Sequence, residues 1–392
     1  MSLFESTGLA IVAYDPEISS GSYDPRGYMV DNLLAYKCVS YEHEILANGG
    51  WWTASLQLRG DLGEMEEWFA NGLNRHVEVF NPGQQKVWEG FVNAIEFSAG
   101  TLSVTRGPLM DIANRLSVVY TPILDPTADP PIKGTTMPTT IADDADSQTK
   151  YGIIEKVLSG GDMLDDGTTD EAEQFRDSVL EEMKEPETSE SLNFADTSEP
   201  SVTLRLLGYA HRFGTYVFQD LTTATIQLDT KIQGVISGDP NGLFSTDYTE
   251  FDANAYLTSR YENTNRTAWD IITSLVKIGD ASDDRYTFGV YGDRVSWYKE
   301  VPEEIAYMHR ITDPELRLET YSTRSRVDPW DVLPARWIFV PDFLIGQTEY
   351  DDMRRDQRHI FIESVRFVAP YTLSISGNKV DRLNQILAKR GA

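Results

Sequence analysis

The sequence predicts an α+β fold, mainly β, with two β-rich domains and flanking helices separated by an acidic insertion. Three observations carry this. Trp52, Ala54, Leu56 and Leu58 alternate with Thr53, Ser55, Gln57 and Arg59, the period of a strand with one buried face. Residues 125–200 break that pattern, with about twenty acidic residues against five basic ones, the composition of a solvated insertion. Beyond Ser201 the apolar periodicity resumes. The expected boundaries are therefore 1–124 for a first β-rich domain, 125–200 for an acidic insertion or arm, 201–370 for a second β-rich domain, and 371–392 for a closing strand end and helix.

The elements follow in order. Leu9–Tyr14 is a short apolar patch, 15–28 a Gly, Ser, Tyr and Pro-rich loop, and Leu33–Tyr41 a strand continued by His43 and Ile45. After the Trp52 strand, Asp61 stands at an N-cap position. Glu64, Glu66 and Glu67 load the early turns with charge that suits the helix dipole, while Met65, Trp68, Phe69 and Leu73 share one side. Val77–Phe80 and Val87–Ile95 flank Asn81-Pro82-Gly83 as a hairpin, and Leu102–Thr105 is a further strand. Pro108 opens a short apolar helix through Leu116. Proline and threonine in 121–140 predict an extended arm outside any sheet. Helical stretches are expected at 152–158, 171–184 and 202–210, and a strand at 225–232. Thr267 caps an amphipathic helix ending at Gly279, and Tyr286–Val290 and Val295–Tyr298 form a hairpin. Ile360–Val368 is a strand, and Val380, Leu383, Ile386 and Leu387 mark a C-terminal helix.

The run of strand, helix, hairpin with Val87-Trp88-Glu89-Gly90-Phe91-Val92, strand, and Asp111-Ile112-Ala113-Asn114-Arg115-Leu116 resembles the tube-forming domain of tail hub and tail-tip (baseplate hub) proteins of tailed bacteriophages. The helix and hairpin recur later, with Trp297 in the place of Trp88. The resemblance implies two tube-type β-barrel or sandwich domains, which let a trimer imitate a six-fold tail tube. It implies a structural, non-enzymatic virion protein of the tail tip, made in the host cytoplasm. Such a ring joins the tube to the tip and lines the DNA exit channel. The implied partners are copies of itself, the tail tube, the distal tail ring and tip or fibre proteins, with DNA passing without specific binding.

Composition excludes several classes. A net charge of −28 is the opposite of a surface that neutralises phosphates. No run reaches the ~18 apolar residues of a membrane span. The single cysteine, Cys38, sits among strand formers and reads as a buried small hydrophobe. His43 reads as an exposed strand histidine, and His211 as a residue favoured near a helix end. Trp51 and Trp52 are expected as a core and an edge tryptophan. Asp162, Asp166, Gly167, Asp170 and Glu173 fit positions 1, 5, 6, 9 and 12 of a calcium loop. Leu164 occupies position 3, where an oxygen is needed, so no metal is expected.

No nucleophile elbow, zinc motif, Walker loop or dinucleotide fingerprint is present. No catalytic residue, cofactor site or metal site is therefore assigned. Two alternatives stay open: a tail-associated glycan-binding module, and a glycoside hydrolase whose paired carboxylates would leave no local motif. If the chain lines a channel, Glu64, Glu66, Glu67 or the carboxylates of 280–284 are candidates for the lumen.

Overall fold

The computed structural model describes residues 3, 7–19, 22–165, 170–192, 199–282, 284–310, 312–315, 317–341 and 359–378. The expected C-terminal helix and calcium-loop residues Asp166 and Gly167 lie outside them. The strands, in chain order, are β1 (Ala10–Ser19), β2 (Ser22–Asp31), β3 (Cys38–Leu46), β4 (Gly49–Arg59), β5 (His76–Phe80), β6 (Lys86–Ala99), β7 (Leu102–Arg106) and β8 (Arg115–Asp125). Next come β9 (Ile132–Lys133), β10 (Met137–Pro138), β11 (Ala142–Asp143), β12 (Glu155–Leu164), β13 (Thr188–Leu192) and β14 (Ser201–Leu207). A two-stranded ribbon pairs β15 (Thr225–Gln227) with β16 (Leu257–Ser259). The last group is β17 (Tyr286–Tyr291), β18 (Val295–Glu300), β19 (Ile305–His309), β20 (Leu318–Thr320), β21 (Trp337–Phe339), β22 (His359–Val368) and β23 (Thr372–Asn378). The α-helices are α1 (Leu62–Asn71), α2 (Ala145–Tyr151), α3 (Glu171–Met183), α4 (Leu228–Ser237) and α5 (Ala268–Val276).

The result is an α+β, mainly β fold. Its main sheet runs β2-β1-β5-β6-β14-β4-β3-β22-β21-β19-β20, with β7 and β13 branching from β6, β17 and β18 from β4, and β23 from β22. The sheet is open. Strand β14 pairs antiparallel with β6 on one side and β4 on the other, so residues that follow the acidic segment complete a sheet begun before it. Helix α1 packs Met65 and Trp68 onto it, and α4 and α5 bury apolar faces in the same core. A second, five-stranded sheet is centred on β8, with β9, β10, β11 and β12 as its partners.

Several expectations are corrected. Residues 202–210 are not a helix. Val202, Leu204 and Leu206 also satisfy period two, and two central ladders settle the choice in favour of a strand. Tyr209–Thr215 then forms a buried 3-10 segment. Residues 121–140 are not an arm outside the sheets, since β8, β9 and β10 pair there. The apolar run 109–116 holds one 3-10 turn before β8 begins. The helix expected at 152–158 lies earlier, at α2, and β12 runs parallel to β8 instead. Residues 225–232 turn helical after three strand residues. The loop 15–28 is largely the β1–β2 hairpin. Leu34–Tyr36 is a 3-10 turn ahead of β3.

Two glycines fix how β17 reaches the sheet. Gly50 adopts φ +73°, and a Cβ there would lie 2.4 Å from the Val290 carbonyl oxygen. Gly289 faces the Gly50 backbone at 2.7 Å in the same sense. Only with both can β4 and β17 run side by side at Gly49–Gly289 and Gly50–Val290.

Candidate functional site

The densest chemistry lies where β5 and β6 meet the β17–β18 turn. His76 and Glu78 point to the same side of β5, and Glu89 lies opposite Glu78 on β6. All three are buried, and their ligand atoms lie within 4.8 Å of one another, the one such metal-capable group among the described residues. A cation already stands there. Lys86 places Nζ 2.7 Å from Glu78 Oε1, 2.6 Å from Glu89 Oε2 and 2.9 Å from Asp293 Oδ1. Arg26, from β2, donates through Nε to Glu78 Oε1 at 2.7 Å and also pairs with Asp293. Glu89 Oε1 accepts the backbone N–H of Arg294 at 3.0 Å.

This network joins four parts of the chain. It pins a turn whose Asp293 and Arg294 both have positive φ, 59° and 60°, a conformation that costs energy for residues other than glycine. Burial pushes the Glu78 carboxyl up, but the His76 ring and the Lys86 ammonium outweigh it and hold the group below the usual carboxylate range.

His76 also has its Nδ1 2.7 Å from the Tyr209 hydroxyl, and its Nε2 3.2 Å from Glu78 Oε1 without hydrogen-bond geometry. Carboxylate, imidazole and hydroxyl in line are the parts of a proton relay. Here Tyr209 is only 1% exposed, and burial drives its pKa well above normal. Among the described residues this line of groups is closed off from solvent at its Tyr209 end.

Beside it lies Arg212, 2% exposed. Among the described residues no carboxylate comes within ion-pair distance of it. Its guanidinium donates to Asn74 Oδ1 and the Tyr151 carbonyl and sits 4.2 Å from the Phe91 ring centroid, a charge held by dipoles and a π face.

A cleft of about 710 Å³ opens where the β3–β4 turn, the end of α5, the start of β17 and the β22–β23 pair converge. Ala47, Tyr286, Val301 and Phe361 give it apolar walls, and Lys277, Arg285, Glu363, Ser364 and Ser376 its polar groups. It offers one carboxylate, whereas a hydrolase of the paired-carboxylate kind needs two.

The residues singled out from sequence are scattered. His43 is buried, not exposed. Its Nδ1 meets the Tyr41 hydroxyl at 2.9 Å, and burial pushes its ring down to about 3. His211 stacks on Trp52 with centroids 3.8 Å apart and is pushed down by burial to about 4, so it stays neutral and is not the charged partner of a helix end. Trp51 is buried and Trp52 half-buried, both in contact with other rings. Cys38 is buried, its thiol pushed up to about 12. The described calcium-loop residues do not converge: Asp162 pairs with Lys133 at 2.5 Å, Asp170 caps α3 through the Glu173 N–H, and Glu173 accepts from Thr140. Glu67 holds Arg75 through both carboxylate oxygens, Glu64 lies 3.5 Å from Lys37, and Asp280 caps its own loop at Ser282 and Asp284.

No family model matches the chain, and no curated protein does. Among solved structures, the match to the crystal structure of the prophage MuSo2 43 kDa tail protein from Shewanella oneidensis covers 94% of this chain and 96% of that one, at 9% identity and a TM-score of 0.37. A likeness of that degree carries no weight for family or activity.

Proposed function

We propose that the chain is a structural protein of a phage tail tip, a hub that assembles as a ring, trimeric in order, between the tail tube and the tip. The observation that supports this most is the paired design of the fold. Helix α1 precedes the β5–β6 hairpin, helix α5 precedes the β17–β18 hairpin, and both hairpins join one sheet. Such a recurrence is in keeping with the two-unit design that the resemblance to hub proteins implies, in which a trimer imitates a six-fold ring. The resemblance of 51–120 to tube-forming domains adds to it.

The partners are further copies, the tail tube, the distal tail ring and tip or fibre proteins, and DNA passes through the ring without specific binding. The single carboxylate of that cleft and the burial of Tyr209 support a role without turnover. Light scattering of the purified protein tests the assembly, with three copies or a multiple of three expected; monomer at every concentration contradicts it. Assay against polysaccharide separates the alternatives, since turnover by a monomer favours a hydrolase and binding without turnover a glycan module.

A further inference from the structure

Sheet edges are where a soluble protein must defend itself, because a row of unpaired N–H and C=O groups templates another strand. Most free edges of this sheet carry such defences. Strand β2 contains Pro25 between Asp24 and Arg26, and its register against β1 is broken twice. Strand β20 has three residues, and β13 has Glu190 at its centre.

Strand β23 differs. Among the described residues it pairs only with β22, and Thr372-Leu373-Ser374-Ile375-Ser376-Gly377-Asn378 holds no charge and no proline. Leu373 and Ile375 pack against a small apolar cluster with Val365. Thr372, Ser374 and Ser376 are exposed.

We propose that β23 is a pairing edge for a second copy of this chain, joined antiparallel about a twofold axis at Ser374. The sequence is self-complementary in that register. Ser374 faces Ser374, Thr372 faces Ser376, and Leu373 faces Ile375, so hydroxyls meet hydroxyls on one face and apolar groups meet on the other. Charge bears on where two copies can meet. Two copies of a chain of net charge −28 repel over most of their surfaces, and this uncharged strip is where they approach at least cost. A twofold contact of this kind is separate from any ring contact and does not rest on the ring reading.

Sedimentation of the full chain tests it with two variants at the exposed Ser374. Ser374→Lys puts like charges opposite each other at the axis and is expected to halve the mass of the wild-type particle without changing its circular dichroism. Ser374→Cys is expected to give a disulfide-linked dimer on mild oxidation, with the buried Cys38 thiol taking no part. A wild-type mass that Ser374→Lys leaves unchanged overturns the proposal. If that unchanged mass is three copies, the ring reading stands alone; if it is one, both fail. A cross-linked dimer together with a mass halved by Ser374→Lys supports it, and absence of the cross-link counts against it.

Discussion

Two histidines, His43 expected as an exposed strand residue and His211 as the charged partner of a helix end, make this protein less stable in acid. His43 and His211 are held neutral in the fold, at about 3 and about 4, against about 6.5 in an unfolded chain. Between those values the unfolded state binds more protons, so stability rises with pH through this window and falls on acidification below about 6.5. Going from pH 6.5 to pH 5 removes up to about 2 kcal/mol for each ring, at ~1.4 kcal/mol per unit. Glu78, held below its usual range, loses its contribution further down, once the pH falls below the unfolded value. Melting temperatures measured from pH 7.5 to 5 check this: the wild type falls steeply, and His43→Gln with His211→Gln flattens the slope. An equal slope in the double variant contradicts the assignment. Lys86 is the second test at this scale. Lys86→Met strips the ammonium from two buried carboxylates, and denaturant unfolding should show a loss of about 3 kcal/mol, the usual cost of breaking a buried pair; a change under ~0.5 kcal/mol means the network is not held as described.

Helix α5 owes its start to Thr267, whose hydroxyl accepts the Asp270 N–H at 3.2 Å. Thr267→Ala should cost about 1 kcal/mol in chemical denaturation, and an unchanged midpoint would show that the hydroxyl is dispensable. Gly50→Ala should cost more, at least ~2 kcal/mol, because it meets both the wrong φ and the Val290 backbone; a variant as stable as wild type would place β17 elsewhere. These elements also show how much was legible. The Trp52 strand, α1, the β5–β6 and β17–β18 hairpins and the cap of α5 follow from local patterns that agree with their tertiary surroundings. Strand β14 does not, since Val202–Leu207 suits helix or strand and its two neighbours decide. The site was the least legible part. His76-Val77-Glu78-Val79 alternates as a half-buried strand would, which assigns His76 and Glu78 to solvent. A second layer made by the Tyr209–Thr215 segment and the 292–294 turn covers that face, and covering from more than a hundred residues away leaves no mark beside His76. The one clue within the sequence was Lys86 three residues before Glu89.

For the molecule as a whole, acidity matters through where it faces. Glu67 is committed to Arg75, and Asp280 to its own loop, which leaves exposed Glu66 as the freer candidate for a channel wall. A chain of this charge should show no DNA binding at micromolar concentration even in low salt, and sub-micromolar affinity would contradict a channel through which DNA slides. The central claim, a ring at a tail tip, meets its most direct test in electron images of the purified assembly averaged without imposed symmetry. A closed ring of three copies with six similar faces around an open, acidic lumen is expected; single compact particles with no lumen, or a lumen lined by lysine and arginine, would contradict it.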